Sequence, residues 1–379
     1  MACNISPYAG CCGFFVKAFK WLPVVLISAI IVWSYYAYVV HLCVLTVQEE
    51  AVRYILLSLY HIIFLLFLWS YWKTVWTSPG VIPPRFKLTM EELENLESTE
   101  SDVEQKRILE QVVIDKDLPV TMRTIQGSVR YCDRCSCIKP DRAHHCSVCG
   151  NCVLKMDHHC PWVNNCVAFS NYKFFVLFLF YGFAYCVYVS LSVLKYFLQF
   201  WARSFETSGQ SSKFHILFLF FVSSMFSISL CSLLCYHVHL VINNRTTLEA
   251  FRAPVFRRGP DKDGFSLGKS GNLQEVFGDD WKKLALPIFS SLGDGLTYPQ
   301  RFTDLEMGRN IEERWGEEVE EERMPMLVED RTLLSDSEEE EEELIRSSTH
   351  HTVLSSNSSS HTRSLISPIT NTSSLVIQS

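Results

Sequence analysis

Four long apolar runs constrain this 379-residue chain more than any other feature; they fall at roughly 22–47, 54–76, 174–201 and 214–242. Each meets the roughly 20 apolar residues that a helix needs to cross the hydrocarbon core of a bilayer. None alternates as a membrane β-strand would, and a backbone inside lipid must satisfy its own hydrogen bonds, so the expectation is four helices. No Asp or Glu interrupts them, which excludes a plain water-soluble globule. The expected fold class is an all-α membrane protein, a bundle of four transmembrane helices with a small cysteine-rich domain between the second and the third.

Basic residues set the orientation. Lys17 and Lys20 precede the first run, Arg85 and Lys87 follow the second, Lys173 abuts the third, and Arg245, Arg252, Arg257 and Arg258 follow the fourth. The short 48–53 link carries Glu49 and Glu50 against one Arg, and the link after Trp201 has Arg203 and Lys213 partly balanced by Glu206. Both termini and the long 78–173 segment are therefore expected in the cytosol. The first run is too long for a signal peptide and lacks a small-residue cleavage pattern, so it reads as an uncleaved anchor. Sequons at Asn4, Asn244 and Asn371 should be silent in this orientation.

Charge is unevenly placed. The chain carries −7 overall, but residues 301–379 hold 18 acidic and 7 basic side chains, leaving the first 300 mildly basic. That tail, with Glu338–Glu343 and a Ser/Thr-rich end, cannot bury a core and reads as disordered. Glu329 with Leu333-Leu334 matches an acidic dileucine sorting pattern. The expected order is an N-terminal segment 1–21, a connector 78–129 with a capping box at Thr89 and Glu92, a cysteine-rich domain 130–173, and a membrane-hugging segment 243–300 before the tail.

The chemistry is concentrated in the third of these. Eight of 15 cysteines and four of 12 histidines lie between 132 and 166. In a reducing cytosol such clustering favours metal binding or catalysis over disulfides. Cys132-x2-Cys135-x9-His145-x6-Cys152 forms one set of four, and Cys146-x2-Cys149-x9-His159-x6-Cys166 repeats it 14 residues later. Two interleaved Cys3His sets are what two tetrahedral, structural Zn²⁺ ions require. One further step of the repeat lands on Cys160, whose x2 partner is Val163, a residue unable to ligate. Cys160 is thus a sulfur that the repeat generates and the metals do not use. Cys137 and His144 are also spare, and Cys137 reads as structural.

A spare thiol two residues after His158, with Asp157 adjacent, suggests an activated nucleophile. A thiol needs a base to become a thiolate at neutral pH; His158 can serve as base and Asp157 can orient it. Only 13 residues separate Cys160 from the third run, which places the sulfur at the membrane surface. A thioester of coenzyme A suits that position, its chain among the helices and its phosphates in water. Lys139 and Arg142 are candidates for those phosphates, or else ordinary juxtamembrane cations. A zinc-stabilised membrane scaffold is the alternative. Nucleic-acid binding is disfavoured by the absence of a basic recognition helix, and transport by spans without acidic residues or repeated halves.

The run Asp157-His158-His159-Cys160, within Cys132–Cys166, resembles the DHHC family of protein S-acyltransferases, or palmitoyltransferases. Thr246-Thr247-Leu248-Glu249 resembles the family's TTxE motif, and Asn272 the Asn of its C-terminal motif. The resemblance implies transfer of a long-chain acyl group from acyl-CoA (palmitoyl-CoA) to protein cysteines through an acyl-enzyme on Cys160. It implies that His158 exchanges protons, that Thr247 seats Asp157, that Asn272 pins the C-terminal segment, and that His159 binds zinc. It further implies an acyl cavity among the helices, with Trp33, Ser34 and Tyr185 near its far end. The expected partners are the lipid bilayer, acyl-CoA and proteins with membrane-proximal cytosolic cysteines, with no nucleic acid. Golgi, ER, plasma and endosomal membranes all stay open. Ser78-Pro79-Gly80 departs from the family's usual Asp-Pro-Gly.

Overall fold

In the computed structural model, which describes residues 11–201 and 210–301, each apolar run is one long helix. Helix α1 (Cys11–Tyr36) passes directly into a π-helical stretch, Ala37–Val44, where the widened turn leaves the His41 carbonyl to Thr46 Oγ1 at 2.6 Å. Helix α2 (Glu50–Trp76) returns, and α5 (Tyr172–Trp201) and α6 (Gln210–Ile242) complete the bundle. The stretches long and apolar enough to cross a membrane are Ala18–Val44, Glu50–Trp76, Tyr172–Gln199 and Ser212–Ile242, shifted by up to four residues from the sequence expectation. Helix α5 packs along both α2 and α6, and the shared core includes Tyr38, Tyr60, Phe67, Tyr185 and Val189. Outward faces carry exposed Leu22, Val32, Ile62, Leu65, Phe218 and Ile228. Such apolar faces suit hydrocarbon rather than water.

Between α2 and α5 the connector forms α3 (Met90–Glu97) and α4 (Asp102–Asp115). The Thr89–Glu92 capping box is formed in both directions and starts α3. Leu96, Leu109 and Val112 bury against Cys137, Ile138 and Leu154, so the connector rests on the cysteine-rich module. That module is three antiparallel hairpins: β1 (Tyr131–Cys132) with β2 (Cys137–Ile138), β3 (His144–Cys146) with β4 (Asn151–Val153), and β5 (His158–Cys160) with β6 (Asn165–Val167). The 14-residue repeat in sequence is a repeat in backbone. The fourth residue after Cys132, Cys146 and Cys160 is left-handed each time: Ser136 at φ 48°, Gly150 at 74° and Asn164 at 47°.

Two asparagines tie the third hairpin to the bundle. Asn165 Nδ2 donates to the carbonyls of Thr74, Val75 and Thr77, which α2 leaves without partners at its C-terminus. Asn171 accepts from Ala168 N and donates to the Cys166 carbonyl, bridging β6 to the start of α5. Gly80, in the Ser78-Pro79-Gly80 turn, has φ 101°, a conformation open to glycine. A Cβ there would meet Ser170 Oγ at 3.3 Å.

After α6 come α7 (Thr247–Phe251), the short hairpin β7 (Val255–Phe256) with β8 (Gly259–Pro260), and α8 (Gly268–Phe277). Asn272 lies in α8 and donates to the Ile242 carbonyl at the end of α6 at 2.7 Å, while accepting from Leu267 N. Lys173 is buried and donates to Lys283 O, Ile288 O and Ser290 Oγ, fastening the segment after α8 to α5. Asn244 is buried and spent on Phe265 O and Arg142, so its sequon offers no free amide. The acidic tail from 302, its dileucine pattern, and the sequons at Asn4 and Asn371 lie outside the described residues.

Candidate active site and metal centres

The hairpin registers assemble the metal ligands. His145 pairs with Cys152 across β3–β4, and His159 with Cys166 across β5–β6, so each hairpin holds two ligands side by side. The preceding hairpin supplies the other two from its turn. In both sets the ligand atoms all lie within 4.8 Å of one another. His145 Nδ1 stands 3.6, 3.3 and 3.8 Å from Cys132, Cys135 and Cys152. His159 Nδ1 stands 3.7, 3.4 and 3.6 Å from Cys146, Cys149 and Cys166. A tetrahedral Zn²⁺ with ordinary Zn–S and Zn–N bonds would hold sulfur and nitrogen about 3.5 Å apart. Both sets therefore fit such an ion with no rearrangement.

The third hairpin repeats the turn without the second cysteine. Val163 N bonds Cys160 O as Cys135 N bonds Cys132 O, but the Val163 side chain is fully buried among Tyr71, Phe175 and Val241. Cys160 is left out of both ligand sets.

Asp157, almost fully buried, begins the same hairpin with its N–H on Val167 O. Its carboxylate accepts from His158 Nδ1 at 2.7 Å, from Thr247 N at 2.8 Å and from Thr247 Oγ1 at 2.7 Å. Burial opposes its charge, but these donors hold the carboxyl below the usual range. With Nδ1 given to Asp157, His158 keeps Nε2 for another partner. Burial pushes its pKa down, yet the bonds to Asp157 and to Cys160 outweigh that and lift it to about 9. Phe175 packs edge-on against the ring at 5.4 Å.

The Thr-Thr-x-Glu run divides into two tasks. Thr246 and Glu249 cap α7 reciprocally, and Thr247, the first helical residue, turns both its donors to Asp157. Glu249 is buried and receives Arg142 Nε and Nη2 at 2.8 and 2.7 Å, while Arg142 also bonds Asn244 and lies over the Phe265 ring. Here the expectation for Arg142 is corrected. Its side chain is fully buried, and its donors hold the C-terminal segment to the cysteine-rich module rather than facing a phosphate. Lys139 keeps a half-buried side chain on that module.

Cys160 opens into a cavity of about 240 Å³ inside the bundle. Its walls are apolar (Ile27, Phe67, Phe178, Leu219, Phe226 and Leu230 among them), and Ser34 and Tyr185 line it too. Trp33 does not; its indole turns to His215 Nδ1 at 3.3 Å, away from the expected place at the cavity end. Two site residues carry no signal in the sequence. His237 of α6 is buried beside His158, with ring centres 5.8 Å apart, and Tyr172 OH stands 3.2 Å from its Nδ1. Asn165, opposite Cys160 in the hairpin, is the other. A polar residue beside an apolar run gives no hint of which partner the fold will bring. The spare His144 is pushed down to about 3 by burial and by Arg130, and Cys137 is buried in the connector core. Of the cysteines near the N-terminus, Cys3 lies outside the described residues, and Cys11 and Cys12 are described by backbone alone.

The comparisons with known proteins agree. A family model described as DHHC palmitoyltransferase matches residues 125–253. Palmitoyltransferase ZDHHC20-A of Danio rerio is 53% identical over 304 residues, which cover 80% of this chain and 83% of the relative. Palmitoyltransferase ZDHHC20 of Homo sapiens is 48% identical over 299 residues, 78% of this chain and 80% of the relative. Palmitoyltransferase ZDHHC2 of Homo sapiens is 48% identical over 283 residues, 75% and 76% respectively.

Proposed function

The chain belongs to the DHHC palmitoyltransferase family and is a membrane-bound protein S-acyltransferase, and from that premise we propose that Cys160 carries the acyl group, with His158 and Asp157 as its proton-handling partners. The observation that carries this reading is the placement of the one cysteine the repeat leaves unligated, at the mouth of an apolar cavity and beside an imidazole whose other nitrogen is tied to a buried carboxylate.

His158 Nε2 takes the Cys160 proton, and the thiolate attacks the carbonyl carbon of an acyl-CoA thioester. The carbon–sulfur bond to CoA breaks, and the departing thiolate receives the proton from His158. A substrate cysteine then gives its proton to His158 and attacks the acyl-Cys160 thioester; Cys160 leaves and recovers the proton. Asp157 keeps Nδ1 protonated throughout, and Thr247 keeps Asp157 aimed. The long acyl chain lies in the cavity, and Lys139 is the cation left for the CoA phosphates. Cys132, Cys135, His145 and Cys152, and Cys146, Cys149, His159 and Cys166, would each hold one Zn²⁺, which would stiffen the hairpins. The basic flanks of the four spans put both termini and the catalytic module in the cytosol, so acceptor proteins present cysteines near the inner membrane surface.

Incubation of the purified protein with labelled palmitoyl-CoA, followed by hydroxylamine release and site mapping, tests the assignment. Label is expected on Cys160 and absent from a Cys160→Ser variant; label acquired elsewhere by that variant at the wild-type rate would overturn it.

A further inference from the structure

The cavity that opens at Cys160 passes Tyr185, ten residues beyond Phe175 on α5 and a rise of about 15 Å, and continues to Val189 and Leu219. At Tyr185, hydroxyls from three helices meet. Ser34 Oγ of α1 lies 3.0 Å from Tyr185 OH, and Tyr60 OH of α2 lies 3.0 Å from the same atom. A hydroxyl has one proton to give. Ser34 gives its own to the Ile31 carbonyl at 2.8 Å, so it must accept from Tyr185. The Tyr185 proton being spent on Ser34, Tyr60 must be the donor to Tyr185. The chain has one direction, from Tyr60 through Tyr185 to Ser34, and Tyr60 is its source.

Tyr60 is fully buried and is absent from the cavity wall. Its ring is stacked on Tyr38 at 4.2 Å and on Phe64 at 5.4 Å, so the hydroxyl is aimed by rigid neighbours. The Tyr185 ring is stacked on Phe67 at 5.5 Å and meets Tyr60 and Phe64 at tilted angles, 5.5 and 5.8 Å away, while its hydroxyl is aimed by its two hydroxyl partners. We propose that Tyr60 is a positioning residue for acyl-chain selection, pinning the Tyr185 phenol against Ser34, which lines the same cavity, from outside the cavity itself. This rests on the reading that the acyl chain occupies this cavity. Loss of the Tyr60 hydroxyl leaves the Tyr185 hydroxyl tied to Ser34 alone, and the ring then yields to chains that reach past it.

Tyr60→Phe keeps the ring and its stacking and removes one oxygen. Rates of Cys160 acylation are measured with myristoyl-, palmitoyl-, stearoyl- and arachidoyl-CoA for the wild type, Tyr60→Phe and Tyr188→Phe. The last is a control, since the Tyr188 hydroxyl bonds the Leu56 carbonyl and the residue does not line the cavity. Tyr60→Phe is expected to raise the stearoyl-to-palmitoyl ratio roughly 5-fold, the equivalent of about 1 kcal/mol for one buried hydrogen bond, with the control unchanged. An unaltered ratio, an equal shift in Tyr188→Phe, or a Tyr60→Phe protein dead at every length would each overturn the role of Tyr60. A wild type that acylates Cys160 at no length would instead sink the proposed function.

Discussion

At the scale of single residues the site is decided by who holds which donor. Asp157 receives one bond from His158 and two from Thr247, and the second pair explains why a threonine, with a hydroxyl beside its backbone N–H, stands first in α7. Thr247→Val removes the hydroxyl and keeps the shape. A hydrogen bond to a charged group contributes about 1.5–3 kcal/mol, so the rate of acyl-enzyme formation should fall on the order of 10- to 100-fold with the palmitoyl-CoA KM little changed; a single-turnover assay reads both. The spacing Asp157-His158-x-Cys160 was legible in the sequence because zinc claimed its neighbours by arithmetic. The fate of Arg142 was not legible. A basic residue beside metal ligands looks the same on paper whether it faces water or a buried Glu249, and only the fold of a segment about a hundred residues later decides.

At the scale of elements, the hairpin is the unit that repeats. Two copies carry a pair of candidate metal ligands at the turn, and the third keeps the turn but has buried Val163 in place of the second cysteine, leaves Cys160 outside both ligand sets and fastens the module to α2 through Asn165. Spacing revealed the repeat, whereas the docking could not be read, since Asn165 finds its acceptors on α2, near residue 75. The Arg142–Glu249 pair couples hairpin β3–β4 to α7 in the same way. Removing one partner of a buried ion pair leaves an uncompensated charge, which costs about 3–5 kcal/mol. Glu249→Gln should therefore lower the midpoint of thermal unfolding, followed by tryptophan fluorescence in detergent, and a midpoint unchanged from wild type would show that the pair holds nothing together. Apolar length foretold all four bundle helices, while their ends moved by up to four residues, outward at every N-terminal end and inward at Val44 and Gln199.

At the scale of the whole molecule, the proposed function divides the work: the apolar bundle would take the acyl chain in its cavity, and the cysteine-rich module would supply the nucleophile. The bundle has its own core in Tyr38, Tyr60, Phe67 and Val189, whereas the hairpins are two or three residues per strand and at that size would need bound ions to hold shape. Stripping metal with a strong chelator should abolish acylation and expose the module's thiols to alkylation while leaving most of the far-ultraviolet helical signal. Loss of that signal in step with activity would contradict the division. Two metal ions would take eight ligands and leave Cys160 free for chemistry. Native mass spectrometry of the wild type and Cys160→Ser after exposure to palmitoyl-CoA tests this most directly. Two zinc ions are expected on both proteins and one acyl mass on the wild type alone; a variant that loses a zinc ion, or that gains the acyl mass as readily as the wild type, would remove Cys160 from the role of nucleophile.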